Sequence, residues 1–173
     1  TSRDNCHPFV SGKWSFMHNG QIGSFQHIRR RLTDSLPDEL YAQMHGTTDS
    51  ELIFLLMLAE GLQDDPHGAT SRAVARVIEA ADRAGVDPAL KLTAAFSDGE
   101  RLYAVRFSTM SHAPTLYTGT FRGDVGRCIV SEPFDRDGRE WHAVPPGSII
   151  TATHHGVSVA DFAPARQREP ALA

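Results

Sequence analysis

The sequence predicts an α+β layered domain, and three observations carry that reading. Segments over 22–32, from 48 to about 62 and over 70–84 read as helices. Short strand-like runs bounded by turn residues follow from 92 to 159. One further strand, at Trp14, precedes the helices. No internal repeat and no linker divides the chain.

Residues 5–8 read as an extended turn, because Pro8 pushes His7 away from helical angles. Phe9 and Val10 lead over Gly12 into the strand at Trp14, where Trp14, Phe16 and His18 share one face and Ser15 and Met17 the other. The strand is expected to end abruptly at Asn19-Gly20, with a helix over 22–32 carrying Ile22, Phe25, Ile28 and Leu32 on one face. Residues 33–46 are less regular, interrupted by Asp34 and Pro37 and stopped by Gly46. Thr48 and Glu51 form a capping box for a helix reaching about residue 62. That helix is apolar nearly all round, as a helix buried on most sides must be. Asp64-Asp65-Pro66 ends it, and a helix over 70–84 closes at Gly85.

The period then changes. Residues 92–96, 102–107, 115–117, 128–130, 148–153 and 157–159 read as strands, with a hairpin turn at 97–100 and another at His154-His155-Gly156. From Pro164 the composition is that of a poorly ordered end. The domain therefore covers residues 1–163, followed by a tail over 164–173.

A chain of 173 residues buries a real core without staples. Its net charge of −4 argues against a nucleic-acid or anionic-membrane surface, and Arg29-Arg30-Arg31 reads as a solvated helix face. No apolar run spans a bilayer. Cys6 and Cys128 are too few for a disulfide framework and fit a reducing, cytoplasmic setting. The nine histidines form no metal-binding spacing, so no metal is expected, and no Gly-rich phosphate cradle is present.

Asn19-Gly20 has two readings. It is the commonest hairpin dipeptide. It also offers a side-chain amide next to a backbone N–H, the pair of donors that an oxyanion hole needs when charge develops on a carbonyl oxygen. Cys6 stands beside His7, but neighbours in an extended segment point to opposite sides, and it reads as an ordinary loop cysteine. Cys128, in a strand, reads as a buried small hydrophobe.

Asn5-Cys6-His7-Pro8-Phe9, then His18-Asn19-Gly20-Gln21-Ile22, then Thr48-Asp49-Ser50-Glu51 resemble, in that order and at those distances, class II glutamine amidotransferase domains. Ser97-Asp98-Gly99, Ser131-Glu132-Pro133 and Trp141 with Val144-Pro145-Pro146-Gly147 resemble the stand-alone, single-domain bacterial branch. The resemblance implies an N-terminal-nucleophile hydrolase with a four-layer αββα sandwich and no cofactor. It implies that Asn19 and Gly20 hold the oxyanion and that Asp49 holds the α-amino group of a glutamine or γ-glutamyl substrate. A carboxylate suits an ammonium, but an acid in the first turn of a helix also interacts with the helix dipole. By the same resemblance His7 supports the pocket, although a structural loop histidine fits equally; His18 reads as packing.

The departure lies at the start. The family's nucleophile is an N-terminal cysteine whose own α-amine, with an ordinary pKa near ~7.7–8, takes the thiol proton. This chain begins with Thr1 in what reads as mid-loop, and the cysteine and the family's carboxylate-binding arginine are expected upstream of it. An N-terminal threonine nucleophile at Thr1 is disfavoured by that alignment. Two function classes follow. The enzyme class cleaves a glutamine or γ-glutamyl amide, passes ammonia to a separate synthetase or simply hydrolyses, and includes a γ-glutamyl amidohydrolase of an ergothioneine-like pathway. The other class is a non-catalytic domain that binds an amino acid or a partner. The sequence leaves room for a homo-oligomer. The chain alone is expected to be inactive and to need the upstream segment for stability.

Overall fold

The computed structural model describes residues 2–121, 126–133 and 141–165. They form two compact units, one built on Gly23–Pro88 with the described residues up to Asn5 and from Ala163, the other combining Cys6–Ile22 with Ala89–Phe162. Thr1 and the expected tail beyond residue 165 lie outside the described residues.

The first unit is helical. A 3-10 turn, Arg3–Asn5, accompanies α1 (Phe25–Thr33), α2 (Asp38–Tyr41), α3 (Asp49–Ala59) and α4 (Pro66–Ala84). Helix α1 starts later than its periodicity predicts, because residue 21 still belongs to a strand and Ser24 adopts a left-handed conformation (φ 56°) before the first turn. Residues 33–46, expected to be irregular, contain the single-turn α2. In α3 the Thr48 hydroxyl accepts from the Glu51 N–H at 3.2 Å, which is half of the expected capping box. The Glu51 carboxylate turns elsewhere, to the loop at His45 and Gly46. Every residue from Ser50 to Met57 is buried, as the uniform apolarity of the helix requires.

Helix α4 begins before residue 70. The Asp65 carboxylate accepts from the Gly68 N–H at 2.9 Å, and Pro66 takes the first helical position, where its missing N–H costs nothing. The stop signal Asp64-Asp65-Pro66 is thus also a start signal. Gly85, at φ 65°, closes α4 as expected. Arg76 and Arg72 of α4 pair with Glu60 at 3.0 and 3.4 Å. The Ser71 hydroxyl donates to the Ala163 carbonyl at 2.6 Å, and the Ala165 N–H donates to the Ser71 carbonyl at 3.2 Å. The first residues of the expected tail are therefore tied to α4.

The second unit holds two antiparallel sheets. Its strands are β1 (Phe9–Ser11), β2 (Trp14–Gln21), β3 (Lys91–Ser97), β4 (Leu102–Ser108), β5 (Tyr117–Phe121), β6 (Gly126–Val130), β7 (His142–Ala143), β8 (Ser148–Thr153) and β9 (Gly156–Asp161). The larger sheet runs β1-β2-β3-β4-β8-β9 and the smaller β6-β5-β7. β8 and the turns at 97–100 and 154–155 fall where the sequence places them. β1 and β7 were not expected, and β5 starts at Tyr117 rather than Thr115.

Trp14 and Phe16 are fully buried on one face of the large sheet, with Phe96 and Tyr103 stacked beside them at 5.2 Å. The other face meets the small sheet through a core of Ala104, Ile150, Leu116 and Val144, against which Ala95 and Ile129 pack. Arg106 pins this junction. Its guanidinium donates to the carbonyls of Pro114 (2.8 Å), Val144 (2.6 Å) and Ala113 (3.2 Å). Among the described residues no helix is long and apolar enough to cross a membrane.

Candidate active site

Strand β2 carries the centre of the site. The strand does not end at Asn19-Gly20. It continues through both residues, with Asn19 opposite Thr93, Gly20 opposite Leu92 and Gln21 opposite Lys91. The expected strand-to-helix turn is displaced to Gly23 and Ser24, because β3 offers partners to the whole of β2. Gly20 is demanded by close approach rather than by an unusual φ: a Cβ there would overlap the Lys91 carbonyl oxygen and lie against the His18 ring.

His18 is 8 % exposed, and its Nε2–H donates to the Lys91 carbonyl at 3.1 Å. A carbonyl can only accept, so this contact sets the tautomer and makes His18 a structural group, as its position in the strand predicts. Asn19 alternates to the opposite face. It is exposed, and its side-chain amide makes no hydrogen bond with any described residue.

On that face lies a cavity of about 170 Å³ between the two sheets. His7, the β2 residues Met17 to Asn19 and the β3 residues Thr93 to Ala95 line one side, and Leu116 with Ile129, Val130 and Ser131 line the other. Two of the sequence-predicted residues, His7 and Asn19, therefore share one cavity. His7 is exposed, follows Cys6 and stands edge-on to Phe9 with ring centroids 5.0 Å apart. Its peptide bond to Pro8 is cis. The Thr93 hydroxyl donates to the Pro114 carbonyl at 3.2 Å, holding that wall.

Asp49 belongs to the helical unit. It is the first residue of α3, half-buried, and its carboxylate accepts from the Ser50 N–H at 2.8 Å. The loop before it is held by Asn5, whose side-chain carbonyl accepts from the Thr47 N–H at 2.8 Å, and by Glu51. Of the thiols, Cys6 is exposed and Cys128 is half-buried in β6 rather than buried; neither lines the cavity. Sequence reasoning gave no role to Thr93, Leu116, Ile129 or Ser131. Ser131 stands in one of the motifs named above, whereas Thr93 and Ile129 enter the cavity through strand register, which no local pattern reveals, and Leu116 enters from the loop just before β5.

The comparisons with known proteins bear on the family and the fold. A family model for class II glutamine amidotransferases matches residues 1–172. A curated relative from Saccharomyces cerevisiae, the probable glutamine amidotransferase DUG3, is 31% identical over 188 residues. That alignment takes in 87% of this chain and 52% of the yeast protein, so the chain spans about half the length of the relative. A solved glutamine aminotransferase class-II domain protein from Silicibacter pomeroyi is 43% identical, with a TM-score of 0.89 over 96% of this chain and 74% of the other. The glutamine phosphoribosylpyrophosphate amidotransferase of Bacillus subtilis, 18% identical, shares the fold at a TM-score of 0.64 over 94% of this chain and 33% of that one. The chain belongs to the class II glutamine amidotransferases, and its mixed α/β fold with antiparallel sheets is that of these N-terminal-nucleophile enzymes.

Proposed function

We propose that this domain cleaves the side-chain amide of glutamine, or of a γ-glutamyl compound, by acyl transfer to a thiol, and that Asn19 and Gly20 stabilise the oxyanion. The reading rests on one observation above the rest. Asn19 presents a side-chain amide with no hydrogen-bond partner among the described residues on the wall of the inter-sheet cavity, on a strand whose next residue has no room for a side chain. The ladder to β3 fixes the backbone from which that amide is presented, and an amide without a competing partner is available to charge developing on a substrate oxygen.

On this reading the nucleophile is an N-terminal cysteine of the kind the family uses, which is not one of residues 1–173. Its sulfur adds to the amide carbon while its α-amine takes the thiol proton, and the carbonyl oxygen becomes negative between the Asn19 amide and the Gly20 N–H. Collapse of that intermediate breaks the C–N bond and returns the proton to the leaving amine. Ammonia or an amine departs and a thioester remains; water then releases the acid and regenerates the thiol. Asp49 is assigned the substrate α-ammonium, and His7 a supporting place beside the cavity. The released ammonia passes to a separate acceptor enzyme or to solvent.

The test is a glutaminase assay on the full-length protein, after intact-mass and N-terminal analysis. Asn19→Ala is expected to lower kcat about a hundredfold or more, as loss of one oxyanion donor does. Asp49→Asn is expected to raise KM and leave kcat nearly unchanged. Parental turnover in Asn19→Ala would remove the oxyanion role. An N-terminus without a cysteine would refute the thioester route and favour an amino-acid-binding domain. Comparing glutamine with γ-glutamyl amides of bulkier amines identifies the leaving group the site accepts.

A further inference from the structure

A second and larger opening lies in the β-sheet unit, at the β9 end of the inter-sheet space. Its volume is about 450 Å³, within the ~300–1,000 Å³ range of small-molecule sites. The core of Ala104, Leu116, Val144 and Ile150 lies between it and the cavity at Asn19.

The composition of its walls is unusual for a sandwich, whose inner faces are ordinarily apolar. Thr118 stands opposite Ile129 on one side and His142 on the other, and Thr120 stands opposite Arg127. Cross-strand partners share a face, and Ile129 packs into the core, so Thr118, Thr120, His142 and Arg127 all belong to the inner face. Facing them, Val157 and Val159 extend the inner face of the large sheet: Val159 is paired with the core residue Ile150, and Val157 with buried Ala152. Yet Val157 is 37% and Val159 56% exposed. Thr118 is only 7% exposed and lines the opening, and its hydroxyl makes no hydrogen bond with any described residue. The Arg127 guanidinium likewise has no ion pair or hydrogen bond among them. One wall lacks acceptors for its donors, and the other lacks apolar cover.

We propose that this opening is a binding site for a small organic carboxylate with an apolar body. The carboxylate sits on the Arg127 guanidinium and the Thr118 and Thr120 hydroxyls, and the apolar part covers Val157 and Val159. A guanidinium presents paired N–H donors that match a carboxylate, and such charge-assisted contacts are the strong ones. A single guanidinium with neutral hydroxyls suits a monoanion. This site is separate from the assignment of Asn19 and Asp49 and does not rest on it.

The test is a chemical-shift titration of the isotope-labelled full-length protein with 4-phenylbutyrate, its uncharged counterpart 4-phenylbutanol, and inorganic phosphate. Saturable shifts are expected at the Thr118, Thr120 and His142 amides with the carboxylate only. Arg127→Gln should weaken binding about tenfold or more, and Thr118→Val should weaken it by a smaller factor, while glutamine turnover stays at the parental value in both. Absence of saturable shifts overturns the proposal, as do equal responses to the alcohol or to phosphate. Shifts centred on Asn19 and Ser131, or an Arg127→Gln variant that binds as the parent does, overturn it too.

Discussion

Glu51→Gln tests whether a buried carboxylate shapes the loop that leads to Asp49. Glu51 is 6% exposed. One of its oxygens accepts from the N–H groups of His45 (2.8 Å) and Gly46 (3.1 Å), and the other accepts from Gly46 at 2.8 Å. A glutamine keeps one acceptor and turns an N–H₂ toward the Gly46 N–H, so one charge-assisted contact is lost and two donors oppose each other. Hydrogen bonds to charged groups contribute about 1.5–3 kcal/mol each, which sets the expected loss near 2 kcal/mol. The loop has little freedom to relax. A Cβ at Gly46 would already stand 2.7 Å from the Asp4 carbonyl and 2.9 Å from Glu51 Oε2. For a chain of this size the loss corresponds to a fall in Tm of about 4–8 °C. In urea it corresponds to a midpoint about 1 M lower at unchanged slope. The exposed Glu39→Gln serves as the control and should leave both unchanged. A Glu51→Gln midpoint indistinguishable from that control would refute the clamp, and the hydrogen bonds to His45 and Gly46 would then contribute no net stability.

Three other perturbations follow from the same geometry. Gly20→Ala drives a methyl into the Lys91 carbonyl and should part the β2–β3 ladder, costing about 2 kcal/mol or more by denaturation and abolishing turnover; a stable, active variant would show that the close approach is not required. Arg106→Met leaves the carbonyls of Pro114, Val144 and Ala113 without their donor and should cost about 2–4 kcal/mol, measured as a shift in urea midpoint, whereas a neutral effect would mean that water replaces the guanidinium freely. Asp65→Ala removes the α4 cap and should cost about 1 kcal/mol at neutral pH. The Gly68 N–H and, more weakly, Arg72 hold the Asp65 carboxyl below its ordinary value against a small effect of burial. A depressed folded-state pKa gives stability that is present above the unfolded value and lost as pH falls through the folded one. The parent and Asp65→Ala should therefore converge in strongly acidic solution, and a constant difference at every pH would exclude an ionic cap.

Much of the architecture was legible from local chemistry. The uniform apolarity of residues 52–58 announced a buried helix, and Ser50 to Met57 are all buried. Thr48 and Gly85 act through bonds and dihedral angles within a few residues of themselves, so capping signals locate the start of α3 and the end of α4; Asp65 caps α4 in the same local way, but Asp64-Asp65-Pro66 reads as a stop, and the start of α4 lies at Pro66 rather than at residue 70. β8 and the turn at 97–100 likewise obey local alternation and side-chain-to-backbone bonding, with the Asp98 carboxylate accepting from Glu100 and Arg101.

What local chemistry alone determined about this protein is therefore the class of each long element, the start of α3, the end of α4 and the identity of the motifs that mark its family. Tertiary structure decided the rest, because a strand's extent depends on its partner. β1 and β7 are two or three residues long and exist only through their pairing with β2 and β5. The same holds at Asn19-Gly20. Asn-Gly turns a chain when nothing competes, but Thr93 and Leu92 hold Asn19 and Gly20 in the ladder, and the Lys91 carbonyl fills the space a side chain would need. That register sends the Asn19 amide to one face of the sheet and the His18 ring to the other.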